Sequence, residues 1–149
     1  MRALTLGVTR GGAREQAGKG RDTHVWVWTQ EQPERLGSHT RRLLVDAAHE
    51  NWVCPISTVE IARLVAVGAI RLSIPLGEWI AQSMTELAAQ TVSVSHDVAI
   101  DASALPGTFH RDPADRLLVA ATRRNGLTLV TADDRILAYP HVRTQDARR

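Results

Sequence analysis

Only one cysteine, one tyrosine and one phenylalanine occur among the 149 residues of this chain. The lone thiol, Cys54, excludes an intrachain disulfide. Its place inside the apolar run Trp52-Val53-Cys54-Pro55-Ile56 reads as a buried structural group rather than a nucleophile. Aromatics make up 4% of the chain, so Ala, Val, Leu and Ile must fill most of the core around the four tryptophans. No apolar run approaches the length of a membrane span, and the N-terminus lacks the h-region of a secretory signal. A cytoplasmic protein without membrane contact is expected. Cys/His spacing of the zinc type is also missing. Charge is only mildly one-sided: a formal net charge of +2 and a pI near 9.3 permit nucleic-acid binding without demanding it. Hydrophobic residues at 44% suit one domain with a real core, and no internal repeat or low-complexity tract divides the chain.

What the chain does have is a concentration of acids at element starts. In HRDPADRLLVAATRRNGLTLVTADDRIL, His110 to Leu137, a helical pattern runs on from Asp115 through Leu117, Leu118, Ala120, Ala121 and Thr122. Asn125-Gly126 stops it, and Leu127 to Val130 is a short β-prone run that ends in Thr131-Ala132-Asp133-Asp134. Ligands of open α/β sheets gather where strands end and helices begin, so a carboxylate just after a buried strand points at a site rather than into the core. Asp112, Asp115 and Asp133 occupy such positions, Glu60 follows the apolar run Trp52 to Ile56, and Asp22 opens DTHVWVW.

Between these acids the pattern alternates. Helices are predicted over Ser38 to about Glu50, Ser57 to about Val67 with Gly68 as the stop, Leu76 to about Ala89 with Trp79, Ile80, Met84 and Leu87 inward, and His96 to Leu105 before Pro106-Gly107. Trp52 to Ile56 and Thr91 to Ser95 read as strands. Strands separated by helical stretches imply crossover units and a mostly parallel sheet.

In their order and spacing, DTHVWVW, PERL at Pro33 to Leu36, ISTVEIARL at Ile56 to Leu64, LPGTFHRDPADRLLVAATRRNGLTLVTAD from Leu105 and the RIL..YP.V that follows resemble the PIN-domain ribonucleases. Within that family the chain is similar to the VapC-like toxins of bacterial type II toxin–antitoxin pairs, over roughly Asp22 to Ala147. The resemblance implies a three-layer α/β fold, with a central, mostly parallel sheet flanked by helices. It places the family's metal-binding and catalytic acids on Asp22, Glu60, Asp115 and Asp133, with Asp112 as a nearby auxiliary acid.

The N-terminus departs from that pattern. Relatives enter DTH through a short apolar strand, central in the sheet, whereas GGAREQAGKGR precedes Asp22 here. A buried strand in those Gly-rich, charged residues would bury charge beside unpaired backbone. The chain is therefore divided into an atypical segment, 1–21, and a PIN-like domain, 22–149, whose first strand is irregular or missing. Three arrangements stay open. Ala3 to Val8 supplies the strand and the next dozen residues loop out; or His24 to Trp28, alternating His, Val, Trp, Val, Trp, is itself extended; or the strand is absent.

The acids also have a plainer reading. Ser57-x-x-Glu60, Asp112-x-x-Asp115 and Thr131-x-x-Asp134 fit capping boxes, Pro113 suits a first helical position, and acids in a first turn complement the helix dipole. Capping and metal binding are compatible, because a helix N-terminus can fix the direction of a carboxylate. Phosphodiester hydrolysis needs a water made nucleophilic near neutral pH and a counter-charge for the developing oxyanions, and one or two hard cations provide both. Carboxylates suit Mg²⁺ or Mn²⁺.

Other residues carry lesser expectations. Thr23 and Thr131 could orient water or make turn contacts, and His24 and His110 lie near the acids. Trp26 and Trp28 suit a core or a dimer surface better than base stacking. Arg111, Arg116, Arg123 and Arg124 could meet phosphate but suit a solvated helix face. Arg10, Arg14, Lys19 and Arg21 form a polar tail or a weak electrostatic arm. The leading expectation is thus a Mg²⁺- or Mn²⁺-dependent endoribonuclease toxin that acts on RNA, dimerises with itself and is silenced by a cognate antitoxin. A catalytically weakened PIN scaffold that binds RNA or protein without cutting is the alternative. A metal-dependent phosphatase lacks support, because no phosphate-cradling Gly-rich loop accompanies the resemblance.

Overall fold

A computed structural model describes residues 25–149 in full and residues 2–6 as a strand. Five strands form one sheet: β1 (Arg2–Leu6), β2 (His49–Val53), β3 (Gln90–Thr91), β4 (Thr128–Thr131) and β5 (Thr144–Asp146). Their order is β3-β2-β1-β4-β5, and every neighbouring pair is parallel. Of the first N-terminal arrangement the strand is observed, starting at Arg2 and described to Leu6; Gly7, Val8 and the dozen residues expected to loop out before Asp22 lie outside the described residues. β1 is central: Leu6 stands opposite Val53 on one side and Val130 on the other. Its backbone is paired along both edges, as a buried parallel strand requires.

Seven helices connect these strands among the described residues: α1 (Val25–Glu31), α2 (Ser38–Val45), α3 (Pro55–Ala66), α4 (Leu76–Glu86), α5 (His96–Ser103), α6 (Pro113–Arg124) and α7 (Asp134–Leu137). Successive strand residues point to opposite faces, which divides the core in two. Val53 and Val130 pack with Val25, Trp26, Trp28, Ile61, Leu64 and Trp79 of α1, α3 and α4. Their neighbours Cys54 and Leu129 pack instead with Val98, Leu118, Val119 and Ile136 of α5, α6 and α7. Three layers result, as expected.

Trp26 and Trp28 are core residues. Trp26 lies 5.3 Å from the Trp79 ring and donates its indole N–H to Ser83 at 3.1 Å. The extended reading of His24 to Trp28 is overturned from Val25 on, because α1 buries Val25, Trp26, Val27 and Trp28 together; His24 lies outside the described residues. Cys54 is a fully buried free thiol, and burial pushes its pKa up.

Several boundaries differ from the expected ones. The helix from Ser38 stops at Val45 rather than about Glu50, because Asp46 turns the chain by accepting the Ala48 N–H, and His49-Glu50-Asn51 then starts β2. Asn51 is the buried exception that polar composition conceals. Its side-chain amide donates to the Leu44 and Leu87 carbonyls, satisfying two helix ends from within the sheet. The strand expected over Trp52 to Ile56 ends at Val53, and Pro55 at the first helical position starts α3 two residues before Ser57. Gly68 then closes α3 in the left-handed conformation, φ 72°, as its sequence position suggested. At the end of α4 the same conformation falls on Ala88, φ 47°, which ends the helix at Glu86. The strand expected over Thr91 to Ser95 is only Gln90–Thr91, and β5, polar throughout, had no signal.

Candidate functional site

Because β1, β2 and β4 run in the same direction, their carboxyl ends share one edge of the sheet, and the strand order reverses at β1. That edge is where α/β folds place their sites. Glu60 lies on the second turn of α3 beyond β2, Asp133 directly after β4, and Asp112 and Asp115 at the start of α6. Glu60, Asp115 and Asp133 are all buried, at 5%, 1% and 5% exposure. Asp22, Thr23 and His24 lie outside the described residues.

Local structure fixes each acid differently. Asp112 caps α6, accepting the Ala114 N–H at 2.9 Å and the Asp115 N–H at 3.4 Å, with Pro113 at the first position. Asp133 caps α7 by accepting the Arg135 and Ile136 N–H groups, and its own N–H donates to Thr131 Oγ1 at 3.1 Å. The expected Thr131-x-x-Asp134 box is therefore replaced by a cap on Asp133, and Thr131 makes a turn contact. Ser57-x-x-Glu60 is not a box either. Cys54 holds the cap position of α3, and the buried Ser57 hydroxyl has no hydrogen-bond partner among the described residues. Glu60 instead meets Arg63 at 3.2 Å.

Asp115 is the centre of the cluster. Burial first, then the charges of Asp112 and Asp133, push its pKa up to about 8, with Arg135 pulling the other way and Glu60 adding repulsion. Its Oδ2 lies 3.2 Å from His110 Nε2. Burial and Arg135 lower the His110 pKa in turn. With the imidazole neutral and its proton elsewhere on the ring, both facing atoms are buried without a hydrogen bond among the described residues; one proton placed between Nε2 and Oδ2 satisfies them both.

Three arginines were not anticipated in their roles. Arg135 reaches back from α7, with Nη2 at 3.1 Å from Asp133 Oδ2 and 3.7 Å from Asp115 Oδ2. A cation at the second position of a helix, where the dipole disfavours it, was its only signal. Arg63 follows Glu60 at i+3, a spacing that places the two on one helix face. Arg116 is not a solvated helix residue but donates to the Ala102, Phe109 and His110 carbonyls, tying down the loop that carries His110. Arg123 and Arg124 remain exposed, the latter paired with Asp97 and Asp101.

An all-oxygen donor set, with a buried Asp115 oxygen that has no hydrogen bond among the described residues, has the chemistry of a hard-cation site. Among the described residues, however, no three His, Cys, Asp or Glu side chains stand where together they would hold an ion. The positive charge nearest to Asp115 and Asp133 there is a guanidinium. No helix among the described residues is long and apolar enough to cross a membrane.

The PIN-domain family profile matches residues 21–142. Ribonuclease VapC22 of Mycobacterium tuberculosis is 38% identical over 122 residues, covering 82% of this chain and 92% of that protein. Among solved structures, VapBC2 from Rickettsia felis bound to a DNA fragment from its promoter superposes with a TM-score of 0.64. That match has 12% identity and covers 96% of this chain and 97% of the other.

Proposed function

Because the chain belongs to the PIN-domain family, we propose that it is a divalent-metal-dependent endoribonuclease, the toxin of a VapC-like toxin–antitoxin pair. The observation that carries this reading is the burial of Asp115 amid the charges of Asp112, Asp133 and Glu60 at the carboxyl edge of the sheet. A fold retains such repulsion at a cost unless something binds there. Asp22, Glu60, Asp115 and Asp133 would hold a cation, Mg²⁺ or Mn²⁺, directly or through water, with Asp112 behind them. The ion supplies a Lewis acid that makes a water nucleophilic and neutralises phosphate oxygens.

The chain's own residues prepare that chemistry. Capping bonds to Arg135 and Ile136 N–H fix the Asp133 carboxylate, and Arg63 fixes Glu60 from the same helix. Asp112 does the same for α6, and the His110 loop closes over Asp115 on the Arg116 anchor. In this reading residues 2–149 form one domain, with the N-terminal segment contributing β1. The name Ribonuclease VapC22 supports RNA as substrate, and the VapBC2 assembly supports an antitoxin partner; its placement over the acidic edge, a homodimer and a cytoplasmic setting belong to the same proposal.

Among the described residues no trio is placed to hold an ion and Arg135 lies beside Asp115 and Asp133, which favours one second reading, a PIN scaffold that binds RNA or protein without cutting. RNA cleavage by purified protein with Mn²⁺, Mg²⁺ or EDTA separates the two. Cleavage that requires metal and disappears in Asp22→Ala, Glu60→Ala and Asp115→Asn is expected. RNA that is bound but left intact under all metal conditions would establish the scaffold instead.

A further inference from the structure

Arg135 Nη2 faces two carboxylates, Asp133 Oδ2 at 3.1 Å and Asp115 Oδ2 at 3.7 Å, while Nε lies 3.4 Å from Asp133 Oδ1. The two partners differ sharply in freedom. The Asp115 and Asp133 side chains are 1% and 6% exposed, whereas that of Arg135 is 45% exposed. Asp133 is held by backbone N–H groups and Asp115 is enclosed by the fold, so the carboxylates cannot follow a moving partner. A long side chain already half in water can leave without opening the core.

We propose that Arg135 is a resident counter-cation that occupies the oxygens a divalent ion would use, so that metal binds only by displacing it. The proposal rests on the metal-binding reading above. Guanidinium and ion have the same sign and seek the same two oxygens, and in a partly dry cleft their repulsion is not screened away. With no ion, Arg135 offsets the buried Asp133 carboxylate, lies beside Asp115 and keeps the site folded. With an ion, the charge it offset is already neutralised, and it turns to solvent. Arg135 is thus a positioning residue that sets the metal concentration at which the site fills.

The test is calorimetric titration of Mn²⁺ into the full chain and into Arg135→Gln and Arg135→Lys, together with melting temperatures in EDTA and in saturating Mn²⁺. Arg135→Gln is expected to bind Mn²⁺ about threefold or more tighter than the parent, because a like charge has gone. It should melt lower than the parent in EDTA, and Mn²⁺ should close that gap. Unchanged or weaker Mn²⁺ binding by folded Arg135→Gln overturns the proposal. If that variant does not fold in EDTA, Arg135→Lys decides: losing the fork while keeping the charge should give tighter binding than the parent, and equal or weaker binding refutes the idea. Folded protein that binds no Mn²⁺ with either glutamine or arginine present removes the metal reading and this inference together. Parental binding without tightening in the variant removes only the inference.

Discussion

His110 Nε2 and Asp115 Oδ2 face each other at 3.2 Å inside the carboxyl edge of the sheet, and their pKa values move in opposite directions, the imidazole down and the carboxyl up. A carboxyl whose folded pKa of about 8 lies above its ordinary value of 3.8 favours the native state when protonated. Its contribution is complete below pH 3.8 and is lost as the pH rises through about 8. Among the described residues, Asp112, Asp133, Glu60, Arg135 and His110 are the charged or titratable groups around it. In EDTA the melting temperature should therefore fall as the pH is raised from 5 to 9, and Asp115→Asn should flatten that fall. Equal slopes for the two proteins would show that Asp115 is not the group responsible.

The same substitution separates stability from activity. Asparagine nearly matches aspartate in volume and carries no charge to bury, so folded Asp115→Asn should be at least as stable as the parent in EDTA. RNA cleavage should nevertheless disappear, and Mn²⁺ should not raise its melting temperature, in contrast to the rise expected for the parent. Undiminished cleavage by purified variant would remove Asp115 from the site.

Arg116 satisfies three carbonyls with one guanidinium, at 2.8 Å from Ala102 O, 3.2 Å from Phe109 O and 3.3 Å from His110 O. Arg116→Met keeps much of the stem but leaves those acceptors without their charged donor, which should cost about 2 kcal/mol in urea denaturation. Loss of activity at temperatures where the variant remains folded would report the loosened His110 loop. A variant as stable as the parent would assign the three carbonyls to solvent.

Ala88 sits at φ 47° on the surface, where the Cβ is in conflict with the left-handed backbone. Ala88→Gly should stabilise the protein by about 1 kcal/mol without altering metal binding or cleavage. A lower denaturation midpoint would mean that unfolded-chain entropy outweighs the relief.

Deletion of residues 1–9 removes a strand paired on both edges, β1 against β2 and β4. Circular dichroism should show the cooperative transition lost and cleavage lost with it, since the removed bonds lie in the middle of the sheet. A truncated protein that melts like the parent would show that the rest of the sheet closes without β1.

Legibility followed local chemistry. α6 could be read at both ends, because Asp112-Pro113 starts it and Asn125-Gly126 stops it with signals that act within a few residues. β2 could not, since His49-Glu50-Asn51 has no β pattern and is extended because Asn51 joins two distant helix ends. Glu60, Asp112, Asp115 and Asp133 were read together from the sequence, and the cap at Asp112 with them, but the capping roles of Glu60 and Asp133 were not legible. The start of α3 at Pro55 decides that for Glu60, and the one-residue offset of the cap decides it for Asp133. Arg135 escaped notice because its meaning depends on Asp115, which the chain brings near only through the pairing of the sheet.

The position of β1 also sets an order of events during synthesis. The first strand made is flanked by β2 and β4, so Leu4 to Leu6 must wait for Thr128 to Val130 before one edge is covered. Contacts of such sequence separation form late. A ribosome carrying a chain that ends before β4 therefore displays β1 half-paired and lacks Asp133 altogether. Glu60, Asp112 and Asp115 are made earlier, but the acidic edge is complete only when synthesis has passed residue 133, so on the ribonuclease reading proposed above an unfinished copy carries no complete site. Stalled nascent chains cut before and after β4 should differ accordingly, with protection of β1 from proteolysis only in the longer one.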